Sequence, residues 1–339
     1  MTEEVMSTEN LGDTPTEEPK RLVFVYYHSA DLDGHCSGAI AMAGNKGEAV
    51  VPLGIDYGYD SKIITELVTP HSDDAVYFVD FCPREEDINW LIENLGSHKV
   101  TIIDHHETAL KKLAEAGHDD LPGLRRIGEA GCELAWKYFF PEREVPAVVT
   151  MLGAFDVWDH FNEHVVPFEY GMELLETRPS DPNTHGMWSA VLQETKLPTL
   201  PENPEEWTDL DHILNMGMVA KAAVDKRIHR ITRSKGYPVK WEDKMWYVVN
   251  APLAFTTDFE FDGFDPGLYD GVIWYAFDGS KNRWKYSLRS FDTEKTNVAT
   301  IASGFAGGGG HAGAASFTTF TLIPELLVKF EEEQEAVEN

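Results

Sequence analysis

A chain of 339 residues, 42% hydrophobic and 12% aromatic, carries enough apolar material for one or two cores. None of its apolar runs approaches the roughly 18 residues that a membrane helix needs. The 58 Asp and Glu against 28 Lys and Arg leave a formal net charge of −30, which argues against tight binding along a long polyanion, where many basic side chains must meet phosphates.

Residues 1–20 hold six carboxylates and two prolines without an apolar run, and read as a disordered acidic tail, not a signal peptide. Cys36, Cys82 and Cys132 show no C-x-x-C or paired spacing, so a reducing cytoplasm is expected. From 21 to about 160, β-branched runs at 22–27, 49–53, 75–81 and 99–103 alternate with amphipathic segments such as 84–95 and 132–140. That alternation predicts a parallel α/β sheet, which places ligands beyond the C-terminal ends of its strands.

His28, Asp31, Asp33 and Gly34 follow the first run directly and precede a small-residue helix predicted over 35–43. Three such ligands on one strand-to-helix turn can converge on a cation, which removes the repulsion between the carboxylates. Alternatively, Asp31 or Asp33 caps the helix. Asp80 ends the third run, and Asp104, His105 and His106 end the fourth. Asp and His at the ends of three strands exceed what capping requires, and a shared metal site accounts for them all. Asp156, after an apolar helix, adds a carboxylate, with Asp159 as its rival.

Residues 163–204 are rich in Pro, Asp and Thr, and 205–233 reads as one long helix with Leu214, Met218, Ala222 and Ile228 at helical spacing and basic residues near its C-terminus. Residues 166–240 are therefore expected to be a helical connector. Strands predicted at 246–249, 271–276, 284–288 and 316–322, with a Gly-rich stretch at 304–313 and an acidic helical tail after them, make a second, smaller α/β domain.

These motifs together resemble the DHH superfamily of phosphoesterases, named for the triplet at 104–106, over roughly residues 21–325. The stretches Tyr286-Ser-Leu-Arg289-Ser290, Asn297-Val298 and Gly307-Gly308-Gly309-Gly310-His311-Ala312-Gly313-Ala314-Ala315 resemble the DHHA1 substrate-binding domain, with a small-residue helix after the GGGGH run. The resemblance implies a DHH catalytic domain over 21–165 and a DHHA1 domain over 241–330. It implies that His28, Asp31 and Asp80 hold one ion and that Asp33, Asp80, His105 and Asp156 hold a second, with Asp80 bridging. Two Mn2+ are implied, with Mg2+ or Co2+ as substitutes.

Asp80, Asp104 and His106 are then the catalytic candidates, Asp104 orienting a neighbouring ligand and His106 contacting the phosphate. Arg289 would clamp a phosphate beside Ser290, the amides of Gly308, Gly309 and Gly310 would approach an anion, and His311 would donate to a phosphate oxygen or to the leaving group. A glycine turn with a solvated histidine is the plain structural alternative. Ser316 departs from the pattern, standing where a glycine often follows. The placement of Asp31 and Asp33 after His28, and the Asp156-x-Trp158 pair, resemble the nano-RNase (oligoribonuclease) branch.

The implied activity is hydrolysis of short oligoribonucleotides or linear dinucleotides to 5′ mononucleotides. The alternatives are a cyclic dinucleotide phosphodiesterase, an inorganic pyrophosphatase in third place, and a catalytically inactive nucleotide-binding scaffold, although this chain keeps a candidate for every ligand position. The expected partner is a short oligonucleotide or dinucleotide, with no track for long nucleic acid and no membrane; the oligomeric state stays open, a homodimer included. His160 and His164 read as surface or hinge residues and His35 as part of the first helical turn. Trp188, Trp207, Trp241 and Trp246 read as packing.

Overall fold

The computed structural model describes residues 21–159, 161–251, 263–305 and 307–330, with the backbone alone at His311. The acidic tail expected at 1–20, the end of the C-terminal tail and His160 lie outside these residues. The chain divides into two compact units between Ala220 and Lys221.

The first unit opens with β1 (Leu22–His28), α1 (Leu32–Gly44), β2 (Ala49–Ile55) and the short α2 (Lys62–Thr65). It continues with β3 (Ala75–Val79), α3 (Glu85–Leu95), β4 (Val100–Ile103), α4 (Glu107–Glu115), α5 (Gly131–Phe139), α6 (Ala147–Asp156), α7 (Val165–Glu173) and α8 (His185–Val191). All four strands are parallel, in the order β2-β1-β3-β4.

Successive side chains of β1 point to opposite faces, so Val23, Val25 and Tyr27 join one core and Phe24 and Tyr26 the other. The first core is closed by α1, α5, α6, α7 and α8, and the second by α2, α3 and α4 through Ile64, Ile88, Leu91 and Leu113. Burial on both faces is why the strands read as nearly unbroken apolar runs. Each fully buried Ile, Val or Phe here stabilises the fold by about 1.5–3 kcal/mol. Pro52 is tolerated because β2 is an edge strand, where a missing donor is harmless. The strand order reverses between β1 and β3, and ligands of open α/β sheets gather beyond the strand ends at such a reversal.

The expected connector over 166–240 is not a separate piece. Val165, Phe168, Met172, Trp188 and Val191, and Leu210, Ile213 and Leu214 from the start of α9 (Asp209–Lys235), are all buried in the core of the first unit. Helix α9 begins later than the predicted 205, because Pro204–Glu206 forms a separate turn and the Asp211 carboxylate accepts N–H bonds from Thr199, Leu200 and Thr208. The later turns of α9 belong to the second unit, where Val224, Ile228 and Ile231 pack against Tyr247, Val249 and Trp274.

That unit contains β5 (Gly236–Trp241), β6 (Lys244–Asn250), β7 (Gly271–Asp278), β8 (Arg283–Ser290), α10 (Val298–Ser303), β9 (Gly309–His311) and β10 (Ala314–Thr319). Its sheet runs β5-β6-β7-β8-β10-β9, antiparallel except for the β6–β7 pair. The first strand, up to Lys240, falls inside the range expected for the connector.

The small-residue helix expected after GGGGH does not form. Residues 309–319 form a tight β-hairpin instead, with His311 opposite Ala314 and Gly310 opposite Ala315. Cross-strand pairing of β10 with β8 overrides the helix preference of the alanines. No helix among the described residues is long and apolar enough to cross a membrane.

Candidate metal centre

The ends of β1, β3 and β4 and the starts of α1 and α5 meet at one place, and glycines set how closely. A Cβ on Gly34 would lie 2.0 Å from the carbonyl oxygen of His28, so only glycine lets α1 close down on the end of β1. Asp31 caps that helix, its Oδ1 accepting the Gly34 N–H at 2.9 Å, while its other oxygen lies 3.0 Å from His28 Nδ1. The capping and ligand readings of Asp31 are therefore not exclusive. Helix α1 starts at Leu32 rather than at 35, which places Asp33 in its buried first turn.

Asp80 sits just beyond β3 with φ +54, a left-handed conformation that Asp tolerates better than most residues and that carries strain of about 1–3 kcal/mol. Its N–H donates to the Ile103 carbonyl at 2.8 Å, which ties it to β4. A Cβ on Gly131, at the start of α5, would fall 2.5 Å from both Cβ and Oδ1 of Asp80.

Two sets of potential ligands share Asp80. In the first, His28 Nδ1 lies 3.0 Å from Asp31 and 3.6 Å from Asp80 Oδ2. In the second, His105 Nε2 lies 3.3 Å from Asp80 Oδ1, 3.4 Å from Asp156 and 3.8 Å from Asp33. Each of the triads His28/Asp31/Asp80, Asp33/His105/Asp156 and Asp80/His105/His106 offers atoms close enough together to hold one cation.

A further observation supports the fit to cations. Both ring nitrogens of His28, Asp80 Oδ1 and His105 Nε2 are buried and make no aligned hydrogen bond, although carboxylates stand beside them. Buried polar atoms are rarely left so, unless they aim at something else. The nitrogen and carboxylate donors suit a borderline or hard divalent ion.

The electrostatics point the same way. Burial raises Asp33 well above the usual carboxylate range, and the nearby charges of Asp80 and Asp156 raise it further. Burial also raises Asp156, to about 6, against the pull of His105. Burial alone would lower His28, but the carboxylates of Asp31 and Asp80 outweigh it and bring it to about 10. Asp80 runs the other way: burial would raise it, yet His105 and His28 hold it below its ordinary value. Without a cation this cluster must share protons to contain its negative charge.

Asp104 and His106 stand beside the two sets. Asp104 is fully buried, and its Oδ1 accepts the backbone N–H groups of His105 and His106 and lies 2.8 Å from His106 Nδ1. That bond raises His106 to about 9 and orients its ring. Asp33 accepts the N–H groups of Gly131 and Cys132 at 2.7 and 2.8 Å, so the start of α5 steadies it. Asp156 rather than Asp159 faces His105; Asp159 joins none of the potential ligand groups among the described residues.

Two neighbours escaped the sequence reading. Asp56 lies just beyond β2 with its Oδ1 3.4 Å from His28 Nε2, and Tyr57 packs its ring near His28 and His106. The signal was available, an acid directly after an apolar strand as at Asp80, but the run 49–53 stops short of it.

His35 is engaged elsewhere, with Nδ1 2.8 Å from Thr177 Oγ1 and Nε2 3.3 Å from the Ser29 carbonyl. His164 stays outside the cluster, its N–H donating to Asn162. Trp188, Trp241 and Trp246 are buried in the cores, and Trp207 donates to the Pro201 carbonyl.

In the second unit Arg289 lies near the end of β8, opposite Ala314, with its Nε buried and unpaired and its guanidinium destabilised by burial. Ser290 donates its N–H to Gly313, and its Oγ accepts from Asp292. Gly307 and Gly310 have φ of +73 and +142. A Cβ on Gly308 would meet the Ala302 carbonyl at 2.0 Å, whereas Gly309 faces open space. The His311 side chain lies outside the described residues.

No family model matches the chain. The uncharacterized protein R106 of Acanthamoeba polyphaga mimivirus is 23% identical over 230 residues, 65% of this chain and 47% of that relative. The chain thus spans about half the length of the curated relative it matches. Among solved structures, an exopolyphosphatase-related protein from Bacteroides fragilis has a TM-score of 0.46 and 15% identity, covering 91% of this chain and 89% of that one. The pGpG-specific phosphodiesterase PggH from Vibrio cholerae has a TM-score of 0.45 and 12% identity, covering 88% and 93%. RecJ in complex with Mn2+ from Thermus thermophilus has a TM-score of 0.43 and 16% identity, covering 88% and 50%. All three TM-scores lie below 0.5, so the functional reading rests on this chain's own residues.

Proposed function

We propose that this chain is a metal-dependent phosphodiesterase of the DHH superfamily, of the nano-RNase kind, which hydrolyses short oligoribonucleotides or linear dinucleotides to 5′ mononucleotides. The observation that carries the reading is the pair of potential ligand sets meeting at Asp80, with four of their buried ligand atoms left without an aligned hydrogen bond. His28, Asp31 and Asp80 would hold one divalent ion, and Asp33, Asp80, His105 and Asp156 the other, Mn2+ being the expected ion.

Such a pair of ions supplies a water-derived nucleophile at neutral pH and offsets charge building on the phosphate. The chain's own part is positioning. Asp80 presents one oxygen to each set from a backbone that Gly131 allows to close in. His106, held by Asp104, is a donor for a phosphate oxygen, and its partly exposed ring leaves it reachable. In the second unit Arg289 would take a terminal phosphate, since its buried Nε has no acceptor of its own. A net charge of −30 supports a short substrate over a long strand.

The test is a time course with Mn2+ on pApA, a short oligoribonucleotide, a long single strand, cyclic di-AMP and pyrophosphate. Mononucleotide release from the short linear substrates alone is expected. Turnover of only the cyclic compound or pyrophosphate would replace the substrate class, and no turnover of any would leave a nucleotide-binding scaffold.

A further inference from the structure

Tyr57 is 62% exposed, an unusual place for a large ring beside a cluster of buried carboxylates and histidines. It sits at the tip of a turn between β2 and α2, closed by the Tyr59 N–H donating to the Asp56 carbonyl at 3.1 Å. Gly58 takes φ +90 in that turn, where a side chain would be strained. The turn is anchored just after the tip. Tyr59 bonds Asp87 through its hydroxyl, and the Arg84 guanidinium lies over the Tyr59 ring at 4.3 Å and donates to the Tyr59 carbonyl. Behind the tip, the buried Phe81 supports the Tyr57 ring at 5.4 Å with a 38° tilt.

Among the described residues the ring also neighbours His28 at 5.5 Å and 64°, and His106 at 6.4 Å and 85°. None of the three lies parallel on it, so no ring among the described residues occupies the stacked position. Tyr57 therefore borders both His28 of the first ligand set and His106, while keeping aromatic surface open to solvent.

We propose that Tyr57 is a stacking platform for a nucleobase attached next to the reacting phosphate, and so sets the requirement for a base-bearing substrate. Every base has a π face, so the platform favours nucleotides over bare phosphates without choosing among bases. The anchored turn presents the ring already ordered, which spares the binding step much of that entropy. The inference rests on the phosphoesterase reading of the site, but its test does not require turnover.

The full chain loaded with Mn2+ is titrated with adenosine 5′-monophosphate and with ribose 5-phosphate, and compared with Tyr57→Phe and Tyr57→Ala. The wild type is expected to bind the base-bearing ligand tighter by on the order of tenfold. Tyr57→Phe should keep that advantage and Tyr57→Ala should erase it while binding ribose 5-phosphate as before. Absence of the advantage in the wild type, its survival in Tyr57→Ala or its loss in Tyr57→Phe would overturn the platform. Turnover of pApA by the wild type is measured in parallel. Turnover without a base-dependent contribution from Tyr57 removes the platform and spares the hydrolase, whereas the binding pattern without turnover spares the platform and removes the hydrolase.

Discussion

The two units arrange their charged groups in opposite ways. The first gathers carboxylates and histidines at the ends of a parallel sheet, where on the proposed function a phosphate would be received together with cations. The second offers one half-buried arginine beside a glycine hairpin, which on the proposed function would meet a phosphate without an ion. A site built from crowded side chains fails when any one is removed or displaced, while a site built from a single cation and backbone amides weakens by degrees.

The largest expected effect is therefore at Asp80. Asp80→Ala should lower kcat on pApA by on the order of 10³-fold or more, since both ligand sets lose a member; near-normal turnover would break the shared-ligand assignment. Gly131→Ala should come next, losing activity and about 1–3 kcal/mol of stability, because its Cβ would occupy the space of Asp80. Urea unfolding together with turnover measures both, and a stable, active variant would show that the close approach is not needed.

Arg289→Ala should raise KM by roughly tenfold to a hundredfold with kcat nearly kept, as expected for one charge-assisted contact to a terminal phosphate. A fall in kcat alone would instead place the arginine at the reacting centre. Asp159→Ala should change kcat by less than about twofold, against a large loss for Asp156→Ala. The reverse pattern would move that ligand.

Cation binding itself should depend on pH with a definite sign. His28 and His106, raised to about 10 and about 9, hold protons at neutral pH in the cation-free protein. A cation taking the place of the His28 proton must release it, so Mn2+ affinity should rise with pH between about 6 and 9. Calorimetry in buffers of different ionisation enthalpy counts the released protons, and a flat profile would mean that no protonated His28 gives way to the ion.

The first unit was largely legible because its physics is local. An apolar run ended by Asp or His states both a strand and where its end points, and the side chains of His28, Asp31, Asp33, Asp80, His105 and Asp156 do come together. Asp56 and Tyr57 were hidden because the edge strand β2 runs past its β-branched stretch through Pro52 and Gly54, blurring its end. In the second unit, residues 312–315 look helical by composition, but the pairing of Ala314 with Arg289 decides their conformation, and pairing is not a local property. The same holds at 166–214, where the polar loops between helices suggested a linker while Phe168, Trp188 and Leu214 were bound for the core.

The grip of Asp33 on Gly131 and Cys132 spans 98 and 99 positions of chain. Contacts that distant in sequence form slowly, after the loop between them has closed. A nascent chain released only as far as β4 would already carry His28, Asp31, Asp33 and Asp80, yet its Asp33 would have no helix start to hold it. The full hold on Asp33 therefore forms only once the start of α5 has folded onto the strand ends.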